Sequence, residues 1–179
     1  MKKKVSFWEF FQGLGKTFML PVSLLAACGI MLGIGSSFAS SVTAEILPFL
    51  NNPILKVFFE FMATIGSFAF SNLPVMFAMA IPLGLARQDK GVAAFSGYVG
   101  FAMSSLSVNF FLKATGTLAT PENMKAAGQS MVLGIQSIDI GVLGGVLIGI
   151  IVYKVHDRYC EIKLPDALAF FGGARFVPI

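Results

Sequence analysis

Few residues in this sequence carry groups suited to chemistry, and most of them sit at the edges of long apolar runs. Asn72 and Pro74 are the exception, because they interrupt the longest run, residues 54–86. Proline removes a backbone donor and disfavours helix at the residue before it, while Gly66 and Ser71 loosen the turn upstream. A helix broken there leaves amides and carbonyls without intrahelical partners. Such breaks are tolerated at membrane depth where they line a cavity or are covered by protein. Asn72 and Pro74 are therefore the best local candidates for handling a solute, with a simple kink as the alternative.

The remaining polar residues point to lesser roles. Asp139 stands at the entrance of an apolar run, where a carboxylate interacts favourably with the amides and dipole of a first helical turn, so a cap is expected. Glu60 points to water if its segment is interfacial and becomes functional if that segment crosses lipid. His156 is the only histidine, so a metal site, which needs three or four protein ligands, is not expected, and a role at a helix carboxyl end is. Cys160 has the basic neighbours Arg158 and Lys163, and Cys28 lies in an apolar run; neither has a CxxC partner or a visible base, so neither is read as catalytic. No phosphate-cradling loop, nucleophile elbow or dinucleotide fingerprint is present, and no catalytic residue or cofactor is assigned.

The elements that position these residues follow from composition. Among 179 residues, 56% are hydrophobic and 12% charged, with 19 glycines and 19 phenylalanines. A soluble domain cannot hide that much apolar surface, and disorder requires the reverse balance of charges and aromatics. The net charge of +4 comes from basic residues at the ends of apolar runs, not from a polar groove with interleaved aromatics, so nucleic acid is not an expected partner and membrane lipid is. The expected fold is all-α, a polytopic transmembrane helix bundle. An amphipathic interfacial segment covers 5–12, with Trp8 and three phenylalanines. Spans are expected at about 17–39, 54–86 broken near 72–74, 91–112 and 138–155. As one helix, 54–86 would be about 50 Å long, so it must bend, tilt or break, and either one or two crossings satisfy it. Residues 113–136 read as an exposed loop, with Gly116, Pro121 and Gly128.

Glycines supply the expected packing between helices. Gly141, Gly145 and Gly149 share one face of the last span, and Gly29 and Gly33 repeat the spacing on the first. Sidedness follows from the thirteen lysines and arginines. With four crossings and the amino terminus inside, Lys2, Lys3, Lys4, Lys16, Arg87, Lys90, Lys154, Arg158, Lys163 and Arg175 are cytoplasmic, against Lys56, Lys113 and Lys125 outside. Residues 164–179 open a further amphipathic or apolar segment, and no internal repeat precedes it, so a partial bundle of a longer carrier is expected.

Several runs together carry a family resemblance: GKTFMLPV from Gly15, GIMLGIGSS from Gly29, NLPVMFAMAIPLGLA from Asn72, GVAAFSGYVG from Gly91, DIGVLGG from Asp139 and LPDALAFFGGARFVPI from Leu164. They resemble the amino-terminal part of enzyme IIC, the membrane component of the bacterial sugar phosphotransferase system, in its glucose and maltose group. The resemblance implies the amino-terminal scaffold part of an enzyme IIC fold in the bacterial cytoplasmic (inner) membrane, with import of maltose or glucose coupled to phosphorylation. It also implies a homodimer, an enzyme IIB domain that donates the phosphoryl group from a cysteine, and a carboxyl-terminal domain with a GITE glutamate for the sugar. Neither that motif nor the enzyme IIB context occurs here, and Cys160 does not stand in for the phosphocysteine. Many relatives carry lysine where this chain has Ala174, so no role carries over to that position, whereas Gly173 and Arg175 match and are implied contributors near the cytoplasmic exit. The alternative is a short membrane interaction or regulatory protein without transport activity.

Overall fold

Turn-forming residues between the apolar runs set where each helix starts and stops. The computed structural model describes residues 7–179. The helices are α1 (Phe7–Thr17), α2 (Met19–Ala39), α3 (Ser41–Ile46), α4 (Pro53–Ser71), α5 (Leu73–Leu85), α6 (Lys90–Ala114) and α7 (Gly141–Tyr159). A hairpin of β1 (Gln129–Val132) and β2 (Ile135–Ile138) lies between α6 and α7. Short 3-10 segments occupy Pro48–Asn51, Asp166–Phe171 and Gly173–Phe176. Asn52 caps α4, its side chain accepting from the Ile54 amide at 3.0 Å with Pro53 at the first position. The interfacial segment expected at 5–12 lies partly outside the described residues; the described helix runs on to Thr17, and Phe18 separates it from α2.

The helices divide into two compact units, Leu20–Asn72 and a larger one of Leu73–Ile179 with the residues up to Met19. Within Leu20–Asn72, α2 and α4 run antiparallel with their backbones in close approach. A Cβ on Gly35 would strike the Ala63 amide and the Phe59 carbonyl, and one on Gly66 would strike the Leu32 amide and the Cys28 carbonyl. The contact face thus carries 28, 32 and 35, one helical stripe. Of the other glycines expected to pack on this helix, Gly33 meets nothing within 4 Å among the described residues, and Gly29 makes an ordinary 3.7 Å contact with Phe70. Two residues before Gly35, Gly33 points about 200° away around the helix.

In the larger unit α5 runs parallel to α7, and α6 runs antiparallel to both. Pro82 inside α5 lacks the amide that would bond the Ala78 carbonyl, and Gly97 of α6 packs against that carbonyl and the proline ring. Val75, Ala78 and Phe101 form a buried cluster flanked by Met79, Val132, Leu133 and Ile148. Helix α1 docks through Phe10, Gly13 and Thr17: Phe10 stacks on Tyr153 with ring centroids 6.2 Å apart, Gly13 lies against Leu85, and Thr17 against Gly84. Its other face leaves Phe7, Trp8 and Phe11 exposed.

Within residues 113–136, expected to form an exposed loop, lie β1 and the start of β2, and Ile138, expected at the start of the last span, ends β2. The turn between the strands uses Leu133 (φ 54°) and Gly134 (φ 74°), both left-handed, which matches the right-handed twist of the pair.

Candidate functional site

The residues expected to handle a solute fall into separate places. Asn72 ends α4, where its backbone amide (3.1 Å) and side-chain Nδ2 (3.0 Å) both donate to the Phe68 carbonyl. The division between the two units falls directly after it. Pro74 is the second residue of α5, and its carbonyl packs on Gly145 near the start of α7. Gly173 and Arg175 lie beyond the other end of α7: the Gly173 amide donates to the Ile162 carbonyl at 2.8 Å, and Phe176 contacts Tyr159 with ring centroids 6.4 Å apart. With 19 residues, α7 is about 28 Å long, so Pro74 and the Gly173–Phe176 segment belong to opposite ends of the bundle.

Gly173 adopts φ 67°, a conformation that glycine takes without steric cost, and the exposed Arg175 guanidinium stacks 5.2 Å from the Phe170 ring centroid. Among the packing glycines of α7, a Cβ on Gly145 would meet the Pro74 carbonyl and one on Gly149 would lie 3.0 Å from Ile81. Gly141 differs: it sits at φ 56°, and its amide donates to Asp139 Oδ1 at 3.0 Å, so it turns the chain into α7 rather than packing against a neighbour. The helix starts at 141, which is why the glycine repeat does not extend that far as a contact face.

At the Pro74 end, α5, α6, β2 and α7 enclose a cavity of about 240 Å³. Its walls are mainly apolar, with Phe101, Val108 and Ile148 among them, and its polar lining is Ser104, Ser105, Ser137 and Asp139. None of the three serines has the periodic or motif context that would single it out in the sequence; Ser104 and Ser105 are neighbours on α6, and tertiary packing brings Ser137 of β2 to them.

The hairpin that closes this end is held by a buried amide network that sequence reading missed. Gln129 Oε1 accepts from the Ala119 amide (3.1 Å) and Gln136 Nε2 (2.8 Å), and Gln129 Nε2 donates to the Thr117 carbonyl (2.9 Å). Asn109 Nδ2 of α6 donates to the Gln136 carbonyl at 2.7 Å, tying hairpin to helix. Gln129→Ala strands the Ala119 amide and the Thr117 carbonyl, each worth about 1–3 kcal/mol when desolvated. Hydrogen exchange across 117–138 is expected to accelerate at least tenfold while α5 and α7 keep their protection; unchanged exchange in the loop contradicts the network's role.

At the opposite end, His156 is buried, with Nε2 2.9 Å from the Gln88 carbonyl in the turn between α5 and α6. Gln88 Nε2 in turn donates to Glu161 Oε1 at 3.2 Å. Glu60 is exposed on α4. Among the described residues no three His, Cys, Asp or Glu side chains cluster as a metal site would require.

Among the described residues three segments are long and apolar enough to cross a membrane: Phe7–Ala39, which comprises α1 and α2, and helices α4 and α6. The chain is an integral membrane protein. It is similar to the PTS system maltose-specific EIICB component of Escherichia coli, 61% identical over 178 residues that make up 98% of this chain and 34% of that protein. It is also similar to the PTS system glucose-specific EIICBA component of Staphylococcus saprophyticus, 38% identical over 170 residues, 94% of this chain and 24% of that protein. The chain thus spans about a third or less of the length of these relatives. The family described as Phosphotransferase system, EIIC matches residues 15–179. With that match over nearly all of an α-helical membrane bundle, the chain belongs to the phosphotransferase system EIIC family.

Proposed function

We propose that this chain is the membrane-spanning scaffold part of a sugar permease that imports maltose or glucose coupled to phosphorylation of the sugar. The observation that carries this reading is the 61% identity, along 98% of the chain, to a maltose-specific relative. The architecture is in keeping with a scaffold. Glycines bring backbones of α5, α6 and α7 into contact, and such close packing stiffens a bundle in a medium that offers no hydrophobic drive between helices.

The amino terminus faces the cytoplasm in this reading, in a multi-pass protein of the inner membrane. In the larger unit, Lys16, Arg87, Lys90, Lys154, Arg158, Lys163 and Arg175 gather where α1 docks and α7 ends, against Lys113 and Lys125 toward the hairpin. Seven against two is the asymmetry that retains a face in the cytoplasm. That face meets the enzyme IIB domain, which carries the phosphoryl group, and the permease works as a homodimer. Gly173 and Arg175 contribute to the cytoplasmic exit of the sugar; their position at the basic end supports this. Asn72 and Pro74 contribute to the sugar pathway in this reading. Sugar-binding side chains beyond this scaffold complete the site.

A chimera tests the reading. This chain replaces the matching 178 residues of the E. coli maltose-specific relative in cells lacking their own maltose and glucose permeases. Phosphoenolpyruvate-dependent accumulation of phosphorylated maltose or glucose is the expected result. A chimera that reaches the membrane yet accumulates neither refutes the proposal and favours a regulatory membrane protein.

A further inference from the structure

The cavity between α5, α6, β2 and α7 is lined by hydroxyls that the fold does not use. Ser105 and Ser137 are buried in its wall, at 6% and 5% exposure, yet neither side chain has a hydrogen-bond partner among the described residues. A buried polar group is expected to be paired with protein, water or a ligand. In the same lining, Ser104 Oγ donates to the Phe101 carbonyl at 2.8 Å and keeps its lone pairs for accepting. Asp139 accepts the Gly141 amide on Oδ1 at 3.0 Å, which leaves Oδ2. All four side chains can therefore accept a hydrogen bond, and only the two buried serines have one to donate.

Charge narrows the ligand further. Asp139 is the one ionisable side chain among the described residues of the lining, so no cation of the protein shares the wall with it. The amino terminus of α7 contributes roughly half a positive charge at this end, and the full charge of the carboxylate outweighs it. The rest of the wall is apolar, with Val108 and Ile148 on facing helices. We propose that this cavity binds a primary alkylammonium ion, its nitrogen held by Asp139 and the serine hydroxyls and its alkyl chain lying along Val108 and Ile148. An ammonium has three donors and no acceptor, so it complements a lining that mostly accepts. An alcohol matches the hydroxyls without answering the charge, and a carboxylate is repelled by it. The cavity measures about 240 Å³, roughly eight times the ~30 Å³ share of one water in liquid, which suits a molecule the size of hexylammonium. The ligand is not the transported sugar, and the assignment stands independently of the sugar-permease reading.

Photolabelling with a short primary alkylamine that carries a diazirine at its far end tests the proposal, both on the detergent-solubilised chain and on the chimera that holds it within a longer protein. Hexylammonium, hexanol and hexanoate serve as competitors. Adducts on Val108 and Ile148 are expected in both proteins, with hexylammonium competing about tenfold better than hexanol and hexanoate not competing. Asp139→Asn keeps an oxygen for the Gly141 amide and removes the charge, so it should weaken hexylammonium about tenfold and leave hexanol unchanged. Ser105→Leu fills the cavity and should abolish the Val108 and Ile148 adducts, while adducts on the exposed Phe110 and Phe111, which report partition into detergent or lipid, persist. The melting temperature of the unlabelled chain, raised by hexylammonium and not by hexanoate, is a readout independent of the label and of either variant. Equal competition by hexanol and hexylammonium would show an apolar space alone and overturn the proposal. So would Val108 and Ile148 adducts that survive Ser105→Leu, labelling of Phe110 and Phe111 alone, or labelling of the chain that is lost in the chimera, where the remainder of the longer protein would then fill the site.

Discussion

Gly145→Val lowers the melting temperature of the detergent-solubilised chain by about 10 °C or removes its monodisperse gel-filtration peak altogether. A Cβ at position 145 would fall on the Pro74 carbonyl oxygen, with the Pro74 carbonyl carbon at 2.8 Å and Cα at 2.9 Å. These are backbone atoms of the first turn of α5, and they cannot rotate aside as a side chain would. The two helices must separate, which also opens the contact of Gly149 with Ile81, one turn further along. In a membrane bundle the loss is van der Waals packing with no compensating hydrophobic collapse. Overpacking of a soluble core costs about 1–3 kcal/mol. A backbone clash between two long helices belongs at or above the top of that range. For a chain of this size about 3 kcal/mol corresponds to roughly 6–12 °C. Gly33→Val is the internal control, because a Cβ there meets nothing within 4 Å. Fluorescence-detected size exclusion after heating reads both, and equal melting of the two variants would contradict the assignment of α5 and α7 as a backbone-level contact.

The contrast between Gly33 and Gly145 also shows what the sequence makes legible. Spacing tells which glycines share a face, but only the register between two helices tells which face is used. The repeat at 141, 145 and 149 is visible in the sequence, yet Gly141 serves a left-handed turn because the helix begins there. The break between α4 and α5 is legible because proline acts on its own neighbours, and the structure ends α4 at Ser71 and starts α5 at Leu73. The hairpin is not: its strands have four residues each, Ile135 and Ile138 read as a prelude to the next apolar run, and Leu133 gives little hint of a left-handed turn. The cavity is further from view, since its wall joins Pro74, three turns of α6 and the start of α7, segments up to 74 residues apart. Families of motifs carry the assignment of this chain to its group, whereas the fitted surfaces between helices emerge only once the helices are set side by side.

His156→Ala destabilises the chain by about 2–4 kcal/mol, with the loss centred on the turn between α5 and α6. The side chain is 1% exposed, and Nε2 lies 2.9 Å from the Gln88 carbonyl. A carbonyl only accepts, so Nε2 carries the hydrogen, and in the neutral ring Nδ1 is left as an acceptor, buried with no partner among the described residues. Truncation to alanine removes a packed ring and leaves the Gln88 carbonyl without its donor, so cavity and hydrogen-bond costs combine. Two further substitutions separate these costs. His156→Gln keeps an amide N–H at a reach similar to Nε2 and is expected to retain most of the stability. His156→Phe keeps the volume and discards both the donor and the unpartnered nitrogen, so it should fall between glutamine and alanine. Thermal melting gives the ranking, and hydrogen exchange at 87–91 locates it: the turn is also held by Gln88 and Glu161, so its exchange should quicken without becoming that of a free loop. If phenylalanine matches or exceeds histidine, the unpartnered Nδ1 outweighs the bond to Gln88, and the ring holds this end of the bundle by packing alone.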